Sequence, residues 1–251
     1  MSLYQTKAIV LKCRNFGEAD RVLMLLSEDH GKLEAVVKGA RRPRSRFVGS
    51  TMPFNLIQTM LFSGKNLDTL SQAELLHSFS GLREDLTRMA YASFWAELVD
   101  RFVPEREEAR EIFRFLLAAF VTLEGNKDPE LLNLAFQLRL LIYLGYQPEL
   151  DQCVGCGATE TACYFSATAG GLVCPECRGE YRDLLKIDRD LIARLQQLAG
   201  TDLRELAGLG LTKAQCRLML QILRSFIEAR MDQPLKSQFF LDHLLSSASP
   251  C

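Results

Sequence analysis

Arg21-Val22-Leu23-Met24-Leu25-Leu26-Ser27-Glu28-Asp29-His30-Gly31-Lys32-Leu33-Glu34-Ala35-Val36-Val37-Lys38 is the stretch that decides the fold of the N-terminal third. An apolar run is followed by a turn and then by a second run in which Leu33, Ala35 and Val37 share one face. A period of two marks a strand with one buried side. Gly31 supplies the positive φ that a tight turn needs. Upstream, Lys7-Ala8-Ile9-Val10-Leu11-Lys12 reads as another strand, and Phe16-Gly17-Glu18-Ala19-Asp20 as the turn after it. Downstream, residues 54–62 and 67–75 read as two strands joined by Ser63-Gly64-Lys65-Asn66. Five short strands with tight connections are best satisfied by a closed barrel, because closure removes the exposed edges. The expected fold class is multidomain α+β, beginning with a five-stranded OB-fold β-barrel.

From Leu82 the apolar period becomes helical: Leu82, Leu86, Met89, Ala90, Trp95, Leu98 and Phe102 recur at spacings close to one helical turn. Residues 107–123 read as a second helix. Asp128-Pro129 is an N-cap followed by proline at the first helical position, and Gly145 with Pro148 ends that helix after Leu144. Helical spacing returns over residues 188–198. Thr212-Lys213-Ala214-Gln215 has the form of a capping box and opens a helix reaching the region of Met231. A short helix is expected at 238–245, and a frayed tail after it. The domain plan is a barrel at 1–80, a helical domain in two parts at 81–150 and 183–251, and a cysteine-rich insert at 151–182.

That insert carries Cys153, Cys156, Cys174 and Cys177 in the pattern C-x2-C-x17-C-x2-C. Two residues between paired thiols let one tight turn aim both sulfurs at a single ion, and the second pair completes a tetrahedral site. Tyr164-Phe165-Ser166 and Gly171-Leu172-Val173 read as a hairpin turning at Ala169-Gly170. The expected cofactor is one structural Zn2+ ion. Four thiolates leave no open position for catalysis. The competing reading is a set of reduced, metal-free thiols or a redox pair. Cys163 has no partner at short spacing, Cys13 and Cys216 lie in apolar segments, and Cys251 is expected to be an exposed thiol. Eight cysteines in 251 residues are too few for a disulfide scaffold and suit a reducing compartment.

Thirty basic and 31 acidic residues give a net charge of −1, which excludes a uniformly basic coat protein and an acidic solvating tail. The total hides an uneven distribution. Residues 1–80 hold 11 basic and 7 acidic side chains, and residues 81–251 hold 19 and 24. Lys38-Gly39-Ala40-Arg41-Arg42-Pro43-Arg44-Ser45-Arg46 concentrates five cations after the third strand. Closely spaced guanidinium groups suit bidentate phosphate contacts, whereas the plain alternative is a solvated loop. Phe47 reads either as a base-stacking face or as a core plug.

Enzyme signatures are absent: there is no Gly-rich phosphate loop, dinucleotide fingerprint or nucleophile elbow. His30, His77 and His243 are scattered, and Glu18 with Asp20 reads as a hairpin cap or a pair with Arg21. The apolar helices read as core, with room for a docking groove that the sequence does not locate. The run at 115–121 is too short to span a bilayer, which takes about 20 residues. The first seven residues lack an apolar segment, so no signal peptide is expected. No internal repeat or low-complexity tract is evident.

The segments Ala8-Ile9-Val10-Leu11-Lys12, Phe16-Gly17-Glu18-Ala19-Asp20-Arg21-Val22-Leu23, Gly31-Lys32-Leu33, Lys38-Gly39-Ala40-Arg41-Arg42 and Ser45-Arg46-Phe47 together resemble the bacterial RecO DNA-repair family. The resemblance runs on through Ala73-Glu74-Leu75 and Leu144-Gly145-Tyr146-Gln147-Pro148 to the two cysteine pairs. It implies an OB-fold, a helical domain and a zinc-finger-like insert that varies within the family. It implies a cytoplasmic, nucleoid-associated role in the RecF recombination-repair pathway. Such proteins bind single- and double-stranded DNA and anneal complementary strands without nucleotide hydrolysis. With RecR they help RecA displace single-strand-binding protein. No membrane and no small-molecule substrate is implied. DNA contact is carried onto Lys38, Arg41, Arg42, Arg44 and Arg46, with Lys32 and Arg21 as weaker additions. The rival readings are a zinc-ribbon adaptor whose barrel is mainly scaffold, and an uncharacterised nuclease or hydrolase.

Overall fold

Strands β1 (Leu3–Phe16), β2 (Asp20–Ser27), β3 (Gly31–Val37), β4 (Leu56–Phe62) and β5 (Asp68–His77) close into a barrel in the order β1-β2-β3-β5-β4. The computed structural model describes residues 2–125, 128–159 and 163–247. Two features close the barrel. The first is the length of β1, 14 residues, which lets Leu3 to Ile9 pair with β4 while Ala8 to Phe16 pair with β2. A register irregularity between Val10 and Lys12 bends the strand from one partner to the other. The second is a short parallel pairing of β3 with β5, Ala35 opposite Asp68 and Val36 opposite Thr69. The apolar reading of β1 ends at residues 7 and 12 because Leu3, Gln5 and Lys7 are exposed and Lys12 and Arg14 face outward. Ala8, Val10, Leu23, Leu25, Leu33 and Ile57 fill the interior, and Phe47 enters it from the loop after β3.

The helices are α1 (Ser80–Glu84), α2 (Leu86–Phe102), α3 (Arg110–Gly125), α4 (Pro129–Tyr143), α5 (Arg189–Gly200), α6 (Lys213–Glu228) and α7 (Lys236–Ser247). The periodic run from Leu82 to Phe102 is two helices, not one. At Asp85 the backbone turns extended, with φ −110° and ψ 119°, and its carboxylate caps α2 by accepting from the Arg88 N–H. Asp128 caps α4 and Pro129 opens it. Thr212 and Gln215 form both halves of the capping box of α6. No described helix is long and apolar enough to cross a membrane.

The chain divides into two compact units, Met1–Asn126 with Leu235–Cys251, and Lys127–Pro234. In the first, α7 comes back from the far end of the sequence to pack on α2. Glu97 of α2 fixes that return, accepting from the Ser237 N–H at 2.7 Å and the Lys236 N–H at 3.2 Å. Burial works to raise the Glu97 carboxyl, but these bonds from Ser237 and Lys236 outweigh it and hold the group below the usual carboxylate range. The expected exposed thiol Cys251 lies outside the described residues.

The segment between α2 and α3 is stitched across one end of the barrel. Arg106 N–H donates to the Lys32 carbonyl at 2.8 Å, and the Arg106 guanidinium meets Asp68 at 2.9 Å. Asp68 is fully buried and also accepts from the Gly64 N–H at 2.9 Å and from the Tyr4 hydroxyl. Burial acts to raise its pKa, but the bonds from Arg106, Gly64 and Tyr4 prevail and lower it. A depressed carboxylate contributes stability that is present above its unfolded pKa of about 3.9 and is lost as pH falls through the folded value. Asp68→Asn is therefore expected to cost about 2 kcal/mol at neutral pH. In acid titrations followed by urea unfolding, the deficit should shrink below about pH 4. A deficit independent of pH would mean that the charge plays no part.

The second unit joins α4, α5 and α6 to a three-stranded sheet of β6 (Tyr164–Ser166), β7 (Gly171–Val173) and β8 (Leu184–Lys186), ordered β7-β6-β8. The first two strands are the hairpin read from the sequence. β8 is a further strand, pairing Phe165 with Leu185. Phe165 packs against Phe226 of α6, ring centroids 6.0 Å apart. The Arg230 guanidinium covers the Phe226 ring at 3.3 Å and donates to the Ala167 carbonyl at 3.1 Å.

Candidate metal centre and nucleic-acid interface

The turn at residues 153–156 and the turn following β7 bring four thiols together. The sulfurs of Cys153, Cys156, Cys174 and Cys177 all lie within 4.8 Å of one another. Cys156 and Cys174 are 3.7 Å apart. A metal bound at about 2.3 Å by four sulfurs at tetrahedral angles sets them roughly 3.8 Å apart, so the cluster fits one ion. Such a spacing is far too long for a disulfide, whose S–S bond is about 2.05 Å. Cys163, although between the pairs in sequence, does not join the cluster.

The backbone prepares the site. Burial raises the Cys153 thiol, but N–H groups of Cys174, Cys156 and Gly155 directed at its sulfur bring it down to about 6. Cys177 is pushed strongly up, first by the neighbouring Cys174 and Cys156 thiols. One thiolate therefore forms readily and the last does not. Full ionisation of all four requires a cation among them. Gly155 explains the glycine in the first turn, since a Cβ there would stand 3.1 Å from both the Cys177 sulfur and the Tyr181 hydroxyl.

The cationic loop is anchored at three points along the barrel mouth. Gly39 N–H donates to Asp20 Oδ1 at 2.8 Å, which makes Asp20 the hairpin's tie to the loop. Arg41 donates from its backbone to the Ala19 carbonyl at 2.9 Å and from its guanidinium to the Gly17 carbonyl at 3.1 Å. Arg46 donates to the Ser71 carbonyl at 2.7 Å and lies 4.9 Å above the Phe47 ring. Phe47 itself is 7% exposed and belongs to the barrel core, so it is the core plug and not a stacking face. Lys38, Arg42 and Arg44 project into solvent and form no ion pair among the described residues.

Two expected DNA contacts are placed differently. Lys32 is 7% exposed and its ammonium is taken by the Asp100 carbonyl and, at 3.6 Å, by the Asp100 carboxylate. It is a tether between barrel and helix, so its assignment as a contact is corrected. The alternating pattern of β3 puts Lys32 on a solvent face, which is covered by the arrival of α2 and the segment that follows it. Arg21 is half-buried, and its Nε is shielded with no hydrogen-bond partner among the described residues. An aromatic that does face solvent at this end is Phe16, which in the sequence reads only as part of a turn.

A closed OB-type barrel carrying an anchored cationic loop, a helical domain and a four-cysteine centre define a modular class of protein. Family models assign that class. Recombination protein O N terminal matches residues 1–79, and Recombination protein O C terminal matches residues 83–239. The chain belongs to the RecO family, and membership places it in DNA repair and recombination. A DNA repair protein RecO from Symbiobacterium thermophilum is 40% identical over 252 residues, covering 98% of this chain and 100% of the relative. The protein of that name from Bacillus subtilis is 31% identical over 246 residues, covering 97% and 96%.

Proposed function

We propose that this chain is a non-enzymatic mediator of the RecF pathway in the bacterial cytoplasm. It binds single- and double-stranded DNA, anneals complementary strands without ATP, and with RecR helps RecA load onto DNA coated by single-strand-binding protein. In this reading residues 1–80 are the DNA-binding domain and the four cysteines hold one structural Zn2+. The observation that carries it is the loop of solvent-facing cations Lys38, Arg42 and Arg44 held against the barrel by Asp20, Gly17 and Ser71. Anchoring removes part of the ordering entropy a free loop would lose on binding. Cations that engage two strands reduce phosphate repulsion within a Debye length, about 8 Å at physiological salt, and raise the strands' effective concentration. Base pairing then supplies the driving force. Zinc, when bound, supplies cross-linking of the insert and no chemistry on DNA.

Substituting Lys38, Arg42 and Arg44 together by alanine is expected to flatten the log–log salt dependence of single-strand binding by about 2, at roughly 0.7 for each phosphate no longer neutralised. Arg41 and Arg46, each already donating to the barrel, should contribute less. The broader test is annealing of complementary oligonucleotides precoated with single-strand-binding protein, without ATP. Failure to accelerate annealing would remove the mediator reading. The adaptor reading draws on an apolar cavity of about 630 Å³ lined by Leu11, Met52, Phe54 and Met89 with Lys12 and Lys236 at hand. An unchanged salt slope in the triple variant would favour it.

A further inference from the structure

We propose that Phe16 is a base-stacking contact for single-stranded nucleic acid, the aromatic half of a subsite whose phosphate-facing cations are Lys38 and Arg41. The proposal rests on the DNA-binding reading above and names the residue that would distinguish a single strand from a duplex.

Strand register places the ring. Phe16 pairs with Asp20 across β1 and β2. Arg21 pairs with Val37 as the last pair of β2 and β3, and Lys38 follows directly in the turn. Phe16 and Asp20 thus sit side by side, and Lys38 is brought close to them because the N–H of the next residue, Gly39, donates to the Asp20 carboxylate at 2.8 Å. Arg14 lies two residues back on β1, on the same face as Phe16. Arg41 reaches the same place from the loop, its guanidinium on the carbonyl of Gly17, one residue from Phe16.

Phe16 is 46% exposed, whereas Phe47, the neighbouring aromatic of the loop, is buried in the barrel. The ring's backbone is fixed at the end of β1 by its pairing with Asp20, so the exposed ring keeps its place beside the tied loop. Two acids on this face are already engaged. Asp20 accepts from Gly39 N–H at 2.8 Å, and Glu34 pairs with Arg14 at 3.2 Å. A planar base on the ring with phosphates beside Lys38 and Arg41 satisfies both halves of the surface. Stacking uses the face of a base and leaves its pairing edge free, which suits a protein that presents strands for annealing. In a duplex the base faces are covered by their neighbours, so the ring has nothing to stack on.

Oligo(dT) and a duplex of equal length are the probes. Phe16→Ala is expected to weaken oligo(dT) binding roughly 5- to 150-fold, the range for loss of one base–aromatic stack. The salt slope and duplex affinity should stay as in the wild type. Phe16→Leu should behave like the alanine variant, and Phe16→Tyr should retain binding. Phe16→Trp supplies a direct signal, since the native Trp95 is fully buried. Its emission should be quenched by oligo(dT) and not by inorganic polyphosphate. Wild-type oligo(dT) affinity in Phe16→Ala overturns the proposal while leaving the loop's role intact. Equal weakening on single strand and duplex, or equal quenching by polyphosphate, also overturns it. Absence of oligo(dT) binding by the wild type sinks the DNA-binding reading and this proposal with it.

Discussion

If the four cysteines hold one zinc ion as proposed, Cys174→Ser is expected to release about one equivalent of zinc and to leave the sheet of the second unit without a fixed fold. The three strands of that sheet have three residues each, and their buried side chains amount to Phe165, Leu172, Val173 and a few neighbours. A hairpin of this size does not supply its own core. In small zinc modules metal binding supplies on the order of 10–16 kcal/mol, all of which appears as folding free energy. Cys174 is the informative position because its thiol is buried among the other three. Prolonged chelation of the wild type should reproduce the variant. Zinc content, with limited proteolysis mapped to residues 150–187, reads both results. Proteolytic resistance that survives complete loss of metal would show that the insert folds on packing alone. Cys163→Ser, outside the cluster, should retain the metal.

Gly31→Ala is expected to lower the unfolding free energy by about 3 kcal/mol or more, combining backbone strain with a steric clash. Gly31 begins β3 at φ +64°, and a Cβ there would lie 1.8 Å from the Glu107 carbonyl oxygen. That carbonyl belongs to the segment between α2 and α3, which is held in place by Arg106 on Asp68 and on the Lys32 carbonyl. The methyl group can be accommodated only by moving a segment fixed from several sides. Gly17 provides the control. Its φ is +57° and a Cβ there meets nothing within 4 Å, so Gly17→Ala should cost only the left-handed conformation, about 1 kcal/mol. Urea unfolding of the two variants separates the contributions. Equal losses would mean that the close approach of residue 107 carries no energetic weight.

Much of the architecture is legible in local pattern. Period two gives the strands, Asp128-Pro129 and Thr212 to Gln215 give two helix starts, and the spacing of the cysteines gives the cluster. Each of these signals lies within a few residues, so the sequence carries it whole. The cationic loop is legible for the same reason. What is not legible depends on which distant segment arrives. Lys32 reads as a solvent-facing strand residue until α2 covers it. Phe16 and Phe47 are both aromatic residues beside turns, and only barrel closure buries one and exposes the other. The length of β1 depends on β4, some 50 residues away, because its outer residues carry no apolar signal of their own.

Short-range spacing and composition are enough to specify most of the elements, the family resemblance, the four-cysteine pattern and the cationic loop. Which side chains remain available to a partner is settled by tertiary packing. Packing ties Arg41 and Arg46 to the barrel, withdraws Lys32, leaves Lys38, Arg42 and Arg44 in solvent and turns Phe16 outward. Availability depends on what lies over a residue, and packing between segments far apart in the chain has no local signature.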